Sequence, residues 1–446
     1  MKLSSRLRAS CLPWAGPLAL ALTVFYYFGG IQVELDASAE PLADAPNLVS
    51  HVTEYMFVLA YAIAACLGVW ESGRLKDAGV WQSVPARSRY CIAFDALIPP
   101  VLVSWSLFLV PSAMVLVHKS VWPIWGLAPM LGLGMILSAA WAAIGFAAGM
   151  RFTRLIAAPV LAAGVFYVIG WSVTYIPYWP RHISGMLPSM MYGERYTLPT
   201  LLAHLLPASC LAAGLALLWL PRQGGGRAWR IGARVAAAAV AAAGFAGAYT
   251  IVKDWDHSPR LAHGQVSMQC SGTTPRVCMP ESSAAERASA RHQIRDVFSK
   301  LEKAGVPARK PQEIRDTLGD GRFGGQEDHR RGRLRMPLTE SQQAGTLRFE
   351  ALHEAVKFHY PDEETRSPNQ ATALYSARLW AAKVVGADRA ERADQGEALG
   401  AYSGRAGKMR RTIDRRVSAV LNESEDAQAA WFRGQMRTGR LRTGRS

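Results

Sequence analysis

Seven long apolar stretches occupy the first 252 residues, and the residues that follow are mostly polar. A run of roughly 18 or more apolar residues is long enough to cross a bilayer as a helix. A helix also satisfies its own backbone hydrogen bonds inside lipid. The sequence therefore predicts an α-helical polytopic membrane protein, with spans at about 12–30, 51–70, 92–117, 123–149, 155–178, 199–220 and 231–252.

The first stretch follows basic residues and resembles the start of a signal peptide. No cleavage site with small residues comes soon after it, and six more stretches follow, so we expect an uncleaved helix. The predicted domains are a membrane bundle at 1–252 and a soluble domain at 253–446.

Basic residues concentrate in alternate loops between the apolar stretches. Because basic loops are retained in the cytoplasm, this alternation predicts a cytoplasmic N-terminus, seven crossings of the plasma membrane and an extracytoplasmic C-terminal domain. The basic set is Lys2, Arg6, Arg8, Arg74, Lys76, Arg87, Arg89, Arg151, Arg154, Arg222, Arg227, Arg230 and Arg234. The opposite loops contain only Lys119, Arg181 and Arg195.

Asp95 and His204 are ionisable side chains within predicted spans, and such groups are candidate functional residues by default. Asp95 lies near the cytoplasmic end of the third span, where it could pair with Arg87 or Arg89 or serve a function. His204 lies near the outer end of the sixth span, and we expect a packed or hydrogen-bonded histidine more than a proton relay.

The loop at 71–91 is basic and has an amphipathic pattern. Its apolar residues Leu75, Val80 and Trp81 can share one side of a short helix. A helix of this kind either lies along the membrane interface or docks on a partner, and the sequence leaves both open. The candidate docking residues are Arg74, Leu75, Lys76, Val80, Trp81, Arg87 and Arg89.

A cytoplasmic N-terminus, an amphipathic segment between spans two and three, and six spans of this spacing resemble the permease subunits of type-2 ABC exporters. The resemblance covers about residues 1–225, and the whole chain is similar to bacterial ABC-permease-like membrane proteins with an extra span and an outer domain. It implies that 71–89 is a coupling helix that contacts a separate ATPase, and that permease subunits pair as homo- or heterodimers. The sequence has no G-x-x-x-x-G-K-[ST] phosphate loop, so nucleotide hydrolysis would come from another polypeptide.

The polar domain contains two cysteines, Cys270 and Cys278, which the predicted topology places in an oxidising compartment. We expect a disulfide between them, worth roughly 2–3 kcal/mol for so short a loop. The domain is predicted to be mainly helical, with helices at 283–304, 340–359, 368–386, 408–421 and 425–438. The Gly- and Arg-rich stretch 317–336 is predicted to be a mobile loop, and strand-like alternation is sparse.

The segment LHEAVKFHYPDEE is similar in composition to the zinc motif H-E-x-x-H. In that motif residues four apart share one helix face. Here His353 and His359 are six apart and would diverge on a helix, so we expect one surface histidine and one partly buried histidine more than a metal site with Glu354.

The formal net charge is +16, and in the polar domain basic residues outnumber acidic ones by 34 to 25. No nucleic-acid module accompanies this charge, so we expect no nucleic-acid partner. We also expect no catalytic residue, cofactor or bound metal. The predicted function is that of a permease-like subunit in a bilayer, driven by an ATPase in trans. The alternatives are a non-transporting receptor or scaffold and a membrane-anchored metal-dependent hydrolase.

Overall fold

The computed structural model describes residues 10–37, 44–83, 88–219, 227–308, 311–323, 332–358, 367–400 and 406–439. The chain divides into two compact units, Met1–His263 and Gly264–Ser446. The boundary lies at His263 and not at the predicted residue 252. Residues after span 7 belong to the first unit because the strand Leu261–Ala262 pairs with the strand Arg195–Tyr196.

Seven helices of the first unit are long and apolar enough to cross a membrane, which confirms the predicted multi-pass membrane protein. Spans 1 to 7 are Leu12–Leu35, Ala45–Asp77, Arg89–His118, Trp125–Gly149, Arg154–Ser172, Leu198–Leu217 and Ala228–Val252. Span 1 consists of the helix Leu12–Tyr26, a π turn Tyr27–Ile31 and the helix Gln32–Ala37. Span 4 starts as a 3-10 turn, Trp125–Leu127, and continues as Ala128–Gly149; the helix of span 7 is Arg227–Val252. Two short helices, Val80–Ser83 and Trp179–Ile183, lie between spans.

Span 2 forms the centre of the first unit and is buried along most of its length. Glycines allow it to approach span 4 closely. A Cβ atom on Gly68 would lie 2.2 Å from the carbonyl oxygen of Ala142, and one on Gly145 would lie 2.0 Å from that of Ala65. Small residues at helix crossings are a usual means by which membrane helices pack.

The loop predicted at 71–91 is shorter in the structure, because its first residues belong to span 2. The prediction of one amphipathic helix in this loop is therefore corrected. Span 2 continues through Asp77 and ends at Ala78 and Gly79, and Gly79 has a φ of +65°. The short helix Val80–Ser83 follows this turn. The predicted segment is therefore two pieces with a bend, because a left-handed residue cannot continue an α-helix.

Contacts between spans define the two ends of the bundle. At the first, which we call the basic end, Asp77 of span 2 pairs with Arg154 of span 5, and Tyr90 of span 3 donates to the carbonyl of Ala216 in span 6. At the second, which we call the opposite end, residues after span 5 pack on residues after span 7. There His182 is hydrogen-bonded to the carbonyl of Asp256 at 2.8 Å.

The second unit contains a four-stranded sheet and seven helices among the residues described. The strands lie in the order β1 (Met268–Ser271), β2 (Arg276–Pro280), β3 (Glu313–Asp316) and β4 (Arg333–Met336). The β1–β2 pair is antiparallel and the other two pairs are parallel. The helices are α1 (Arg287–Lys303), α2 (Leu338–Ala344), α3 (Leu347–Val356), α4 (Pro368–Val385), α5 (Asp388–Gly400), α6 (Ala406–Val420) and α7 (Glu425–Gly439).

The sheet and helix α5 were not predicted from the sequence. The predicted helix at 340–359 is two helices, since Gly345 adopts a left-handed conformation with φ +71°. Within the predicted loop at 317–336, residues 318–323 form a 3-10 helix and 333–336 form β4. The apolar core lies between the sheet and the helices, with Trp380 of α4 almost fully buried in it.

Candidate functional site

The residues of the predicted docking loop lie on three elements. Arg74, Leu75 and Lys76 are in the last turns of span 2, Val80 and Trp81 are in the short helix, and Arg89 begins span 3. Arg87 lies outside the described residues. The loop therefore presents its residues separately and not as one helix face.

Arg74 forms an ion pair within this chain. Its guanidinium donates from Nη2 at 2.6 Å and from Nε at 3.0 Å to the carboxylate of Glu71, which is fully buried. The other carboxylate oxygen of Glu71 accepts the backbone N–H of Cys11 at 2.7 Å, at the start of span 1. This arrangement joins spans 1 and 2, whereas the next basic residue, Lys76, is exposed.

Trp81 faces the bundle. Its ring centroid lies 6.2 Å from that of Phe146 in span 4, and both belong to an apolar cluster that also contains Leu75 and Trp219. Val80 is half-buried. The apolar side of the loop is therefore used mainly within this chain, which leaves the charged side chains as its exposed surface.

The two intramembrane candidates differ in burial. Asp95 is half-buried in the second turn of span 3. His204 is buried in span 6, and its Nδ1 accepts the backbone N–H of Gly185 at 3.2 Å. An accepting Nδ1 places the proton of a neutral imidazole on Nε2. Within the described residues, this Nε2 has no hydrogen-bond partner.

Gly185 begins a segment that the sequence did not reveal. Residues 185–190, which we call the re-entrant segment, follow the short helix Trp179–Ile183 and have no regular secondary structure, yet Met186, Leu187 and Met190 are buried. The apolar side chains of this segment are a sequence signal that it is buried, although it lies between two predicted spans. Irregular backbone inside a membrane bundle requires partners for its polar groups.

Side chains of the spans supply those partners at both ends of the re-entrant segment. The carbonyl of Gly185 accepts the hydroxyl of Tyr61 at 3.3 Å. At the far end, the carbonyl of Met190 accepts Nδ2 of Asn47 at 2.8 Å, and its N–H donates to Oγ of Ser50 at 2.8 Å. The re-entrant segment is therefore hydrogen-bonded to span 2 at both of its ends.

A charged cluster follows the re-entrant segment. Glu194 is fully buried, and its carboxylate accepts the N–H of Met191 at 2.8 Å and lies 3.6 Å from Nδ1 of His263. The neighbouring Arg195 pairs with Asp44, the N-cap of span 2, at 2.8 Å. These pairs connect the segment after span 7 and the start of span 2 to the same loop.

An apolar cavity of about 460 Å³ is bounded by spans 4 to 7, the short helix Trp179–Ile183 and Ser184, the residue before the re-entrant segment. Its walls include Trp141, Ile169, Pro180, Pro207 and Leu211. The Trp141 indole Nε1 is buried and has no hydrogen-bond partner among the residues described.

The rim of the apolar cavity includes Tyr167, Trp171 and Phe245, which are about half exposed on the outside of the bundle. The cavity therefore opens sideways between spans 5 and 7, where lipid would lie. Its volume is in the range of about 300–1,000 Å³ that holds small organic ligands.

In the second unit, the disulfide between Cys270 and Cys278 is present. The two residues are directly opposed in the antiparallel β1–β2 pair, so the bridge closes this hairpin. Asp316 at the end of β3 accepts the backbone N–H and the hydroxyl of Thr339, which fixes the start of α2. Burial raises the pKa of the Asp316 carboxyl, against these hydrogen bonds, which lower it.

His353 belongs to a buried network of ions. Its Nε2 lies 2.7 Å from one carboxylate oxygen of Glu391, and Nε of Arg378 lies 2.8 Å from the other. Arg378 also pairs with Asp394, and Gln395 donates to Glu391 at 2.7 Å. These four interactions join residues of α4 and α5, and α3 contributes the histidine.

In this network, the side chain of His353 is hydrogen-bonded to the carboxylate of Glu391. Glu354 of α3 pairs with Lys357, the residue that follows this helix, and His359 lies outside the described residues. Within the described part of the chain, no group of three or more His, Cys, Asp or Glu side chains is arranged to hold a metal ion. Nearby, burial raises the pKa of the Glu350 carboxyl above its ordinary value.

Comparison of the sequence with protein-family models and with curated proteins gives no match, and comparison with solved structures gives none. A function is therefore proposed from the fold and from the contacts described above.

Proposed function

We propose that this chain is a permease-like subunit of an ABC-type export complex, that a separate ATPase energises it, and that it moves an apolar or amphipathic molecule. The observation that carries the proposal is the apolar cavity, whose rim lies on the outside of the bundle. A molecule dissolved in the bilayer could enter such a cavity without crossing water.

The lining of the cavity restricts the chemistry of this substrate. The walls are aromatic and aliphatic, and the indole N–H of Trp141 is a donor without an acceptor among the residues described. Small-molecule sites commonly combine apolar walls with a few polar groups that set orientation. The substrate would be mostly apolar and would carry a hydrogen-bond acceptor.

The re-entrant segment is the proposed barrier on the path out of the cavity. Release toward the opposite end would require the hydrogen bonds of Gly185 and Met190 to Tyr61, Asn47, Ser50 and His204 to break. Such bonds are worth about 0.5–1.5 kcal/mol each, so energy from a coupled ATPase could open them.

The proposed topology places the basic end in the cytoplasm and the second unit outside the cell, because basic loops stay in the cytoplasm. The ATPase would meet the exposed Lys76 at the basic end. A homo- or heterodimer would be the working form.

A filled cavity tests the substrate proposal. Ala208 is buried and lines the cavity, whereas Ala213 in the same span is exposed. We expect Ala208→Trp to abolish binding of N-phenyl-1-naphthylamine, a neutral apolar fluorophore, to the detergent-purified full chain. Ala213→Trp should leave binding unchanged. Equal binding in both variants, at equal thermal stability, would refute the cavity as the site.

The partner ATPase is tested by affinity purification of the intact chain from membranes. We expect a polypeptide with a Walker motif to co-purify, and Lys76→Glu to weaken the association. The control is Lys253→Glu, an exposed lysine that follows span 7. Arg74→Glu is unsuitable because it would place two acidic groups at the buried Glu71.

One observation favours a second candidate, a non-transporting receptor or scaffold. Trp81 packs on Phe146, so the loop presents no continuous apolar helix to an ATPase in the part that the structure describes. In this case no ATPase would co-purify at any stoichiometry, and the second unit would bind a ligand outside the cell. The same purification therefore separates the two candidates.

A further inference from the structure

The basic end of the bundle contains a second cavity, of about 550 Å³, which we call the basic-end cavity. It lies where span 3 begins and where spans 4 and 6 end. The side chains that matter to its chemistry are Trp81, Arg89, Phe146, Arg151 and Trp219.

The inner wall of the basic-end cavity is aromatic. Phe146 is fully buried, and its ring centroid lies 5.3 Å from that of Trp219 and 6.2 Å from that of Trp81. Ile144 and Met150 extend the same wall. This surface is suited to a hydrocarbon chain, and it offers little to a small hydrophilic anion.

The rim of the basic-end cavity is cationic. Arg89 is the first residue of span 3, Arg151 follows the end of span 4, and both side chains are exposed. Among the residues described, neither arginine forms an ion pair with a carboxylate. The neighbouring basic residues differ, because Arg74 pairs with Glu71 and Arg154 with Asp77.

We propose that the basic-end cavity binds an anionic phospholipid. The phosphate lies between Arg89 and Arg151, and one acyl chain lies along Phe146 and the two tryptophans. Guanidinium groups bind phosphate oxygens in a bidentate manner. Basic pockets between helices at the cytoplasmic side are a known form of anionic lipid site, and the ends of spans lie at the depth of lipid headgroups.

The aromatic wall and the cationic rim are the two halves of the basic-end cavity, and together they select this ligand. Free phosphate would use the arginines and leave the aromatic wall without a partner. A zwitterionic lipid would use the wall, but its headgroup adds a positive charge beside two arginines. Only an anionic amphiphile uses both halves, and the bilayer contains it at high concentration.

Native mass spectrometry of the full chain, released from nanodiscs that contain equal amounts of phosphatidylglycerol and phosphatidylcholine, tests this proposal. We expect retained phosphatidylglycerol on the wild type, and about a 30-fold loss of its affinity in Arg89→Gln/Arg151→Gln. The matched control is Arg230→Gln/Arg234→Gln, which removes two exposed arginines at the start of span 7. This control should retain the lipid.

A second variant tests the acyl-chain wall and leaves both arginines in place. Ala148 lines the basic-end cavity and is half-buried. We expect Ala148→Trp to displace the lipid. Equal retention of phosphatidylglycerol in the double glutamine variant and in its control would overturn the proposal. So would binding of inorganic phosphate that competes with the lipid at similar concentration. The melting temperature of every variant is measured in detergent. Only variants that melt at the wild-type temperature are compared, so that a misfolded variant is recognised.

Discussion

The two units bury polar groups by opposite means. In the first unit, the re-entrant segment is held by neutral groups, namely the side chains of Tyr61, Asn47, Ser50 and His204. In the second unit, three charged or ionisable side chains, Arg378, Glu391 and His353, meet in a buried network. Neutral hydrogen bonds satisfy a backbone without moving a charge away from water, whereas buried ions depend on each other.

The first unit also contains buried carboxylates, but they lie at its two ends. Glu71 is at the basic end beside Arg74, and Glu194 is at the opposite end near His263. The middle of the bundle is held by close helix packing and by neutral groups. Removal of one partner from a polar contact should therefore reduce stability most in the second unit and least at the solvated loops of the first unit.

The largest effect should follow removal of one member of the ion network. We expect Arg378→Met to destabilise the second unit by about 3–5 kcal/mol, because Glu391 remains buried with its main partner lost. Hydrogen exchange of peptides from α1 and α4 in the full chain measures this. Arg392→Met is the control, since the Arg392–Asp414 pair is about one-third exposed on each side and should contribute about 0–1 kcal/mol. Equal effects would contradict the contrast between the units.

Close packing in the first unit should give the next effect. Gly145→Ala would place a methyl group against the carbonyl of Ala65, and we expect a loss of about 1–3 kcal/mol from the forced separation of spans 2 and 4. Gly132→Ala in the same span meets nothing within 4 Å and should be neutral or slightly stabilising. Thermal unfolding in detergent compares the two variants. A fall in melting temperature for both would argue against the close crossing of spans 2 and 4 as the cause.

Loss of a neutral hydrogen bond should be smaller. We expect Tyr61→Phe to cost about 1–2 kcal/mol, because the carbonyl of Gly185 loses its partner while the ring remains. Faster proteolysis within residues 185–190 would be the local sign of a released re-entrant segment. Tyr167→Phe, at a side chain 61% exposed, is the control and should change neither measurement.

The smallest effect should be a pH dependence at the opposite end. Burial lowers the pKa of His182 below its ordinary value of 6.5, with the nearby Arg181 and His257 adding to this. The folded state therefore binds fewer protons than the unfolded state, and stability should fall as pH drops below 6.5 toward the lowered pKa. Melting curves between about pH 7.5 and about pH 5 check this. His182→Gln should flatten the slope, and an unchanged slope would exclude His182 as its origin.

Sequence patterns predicted the features that depend on neighbours along the chain. Seven apolar runs predicted seven spans, and two cysteines eight residues apart predicted the disulfide. The re-entrant segment was missed because its partners are distant. Tyr61 and Gly185 are 124 positions apart, and no periodicity reports a contact of that kind.

The remaining errors have local causes. The sequence pattern predicts a short helix with Leu75, Val80 and Trp81 on one side, but the left-handed Gly79 interrupts it. The strands β3 and β4 are only four residues long each, which is too short to distinguish from loop. Only β4 alternates charged and apolar residues, because β3 ends in the buried Asp316. The partner of His353, Glu391, comes from another helix 38 positions away, so its role in the ion network followed from the fold alone.

Span 2 has 33 residues, which corresponds to a rod of about 50 Å, and this exceeds the roughly 30 Å of bilayer hydrocarbon. Asn47 near one tip binds the re-entrant segment, and Glu71 near the other binds the start of span 1. A stiff helix that pivots about its middle displaces both tips at once, in opposite directions. A displacement at one face of the membrane would therefore be transmitted to the other face by this one helix, without a series of contacts between other side chains.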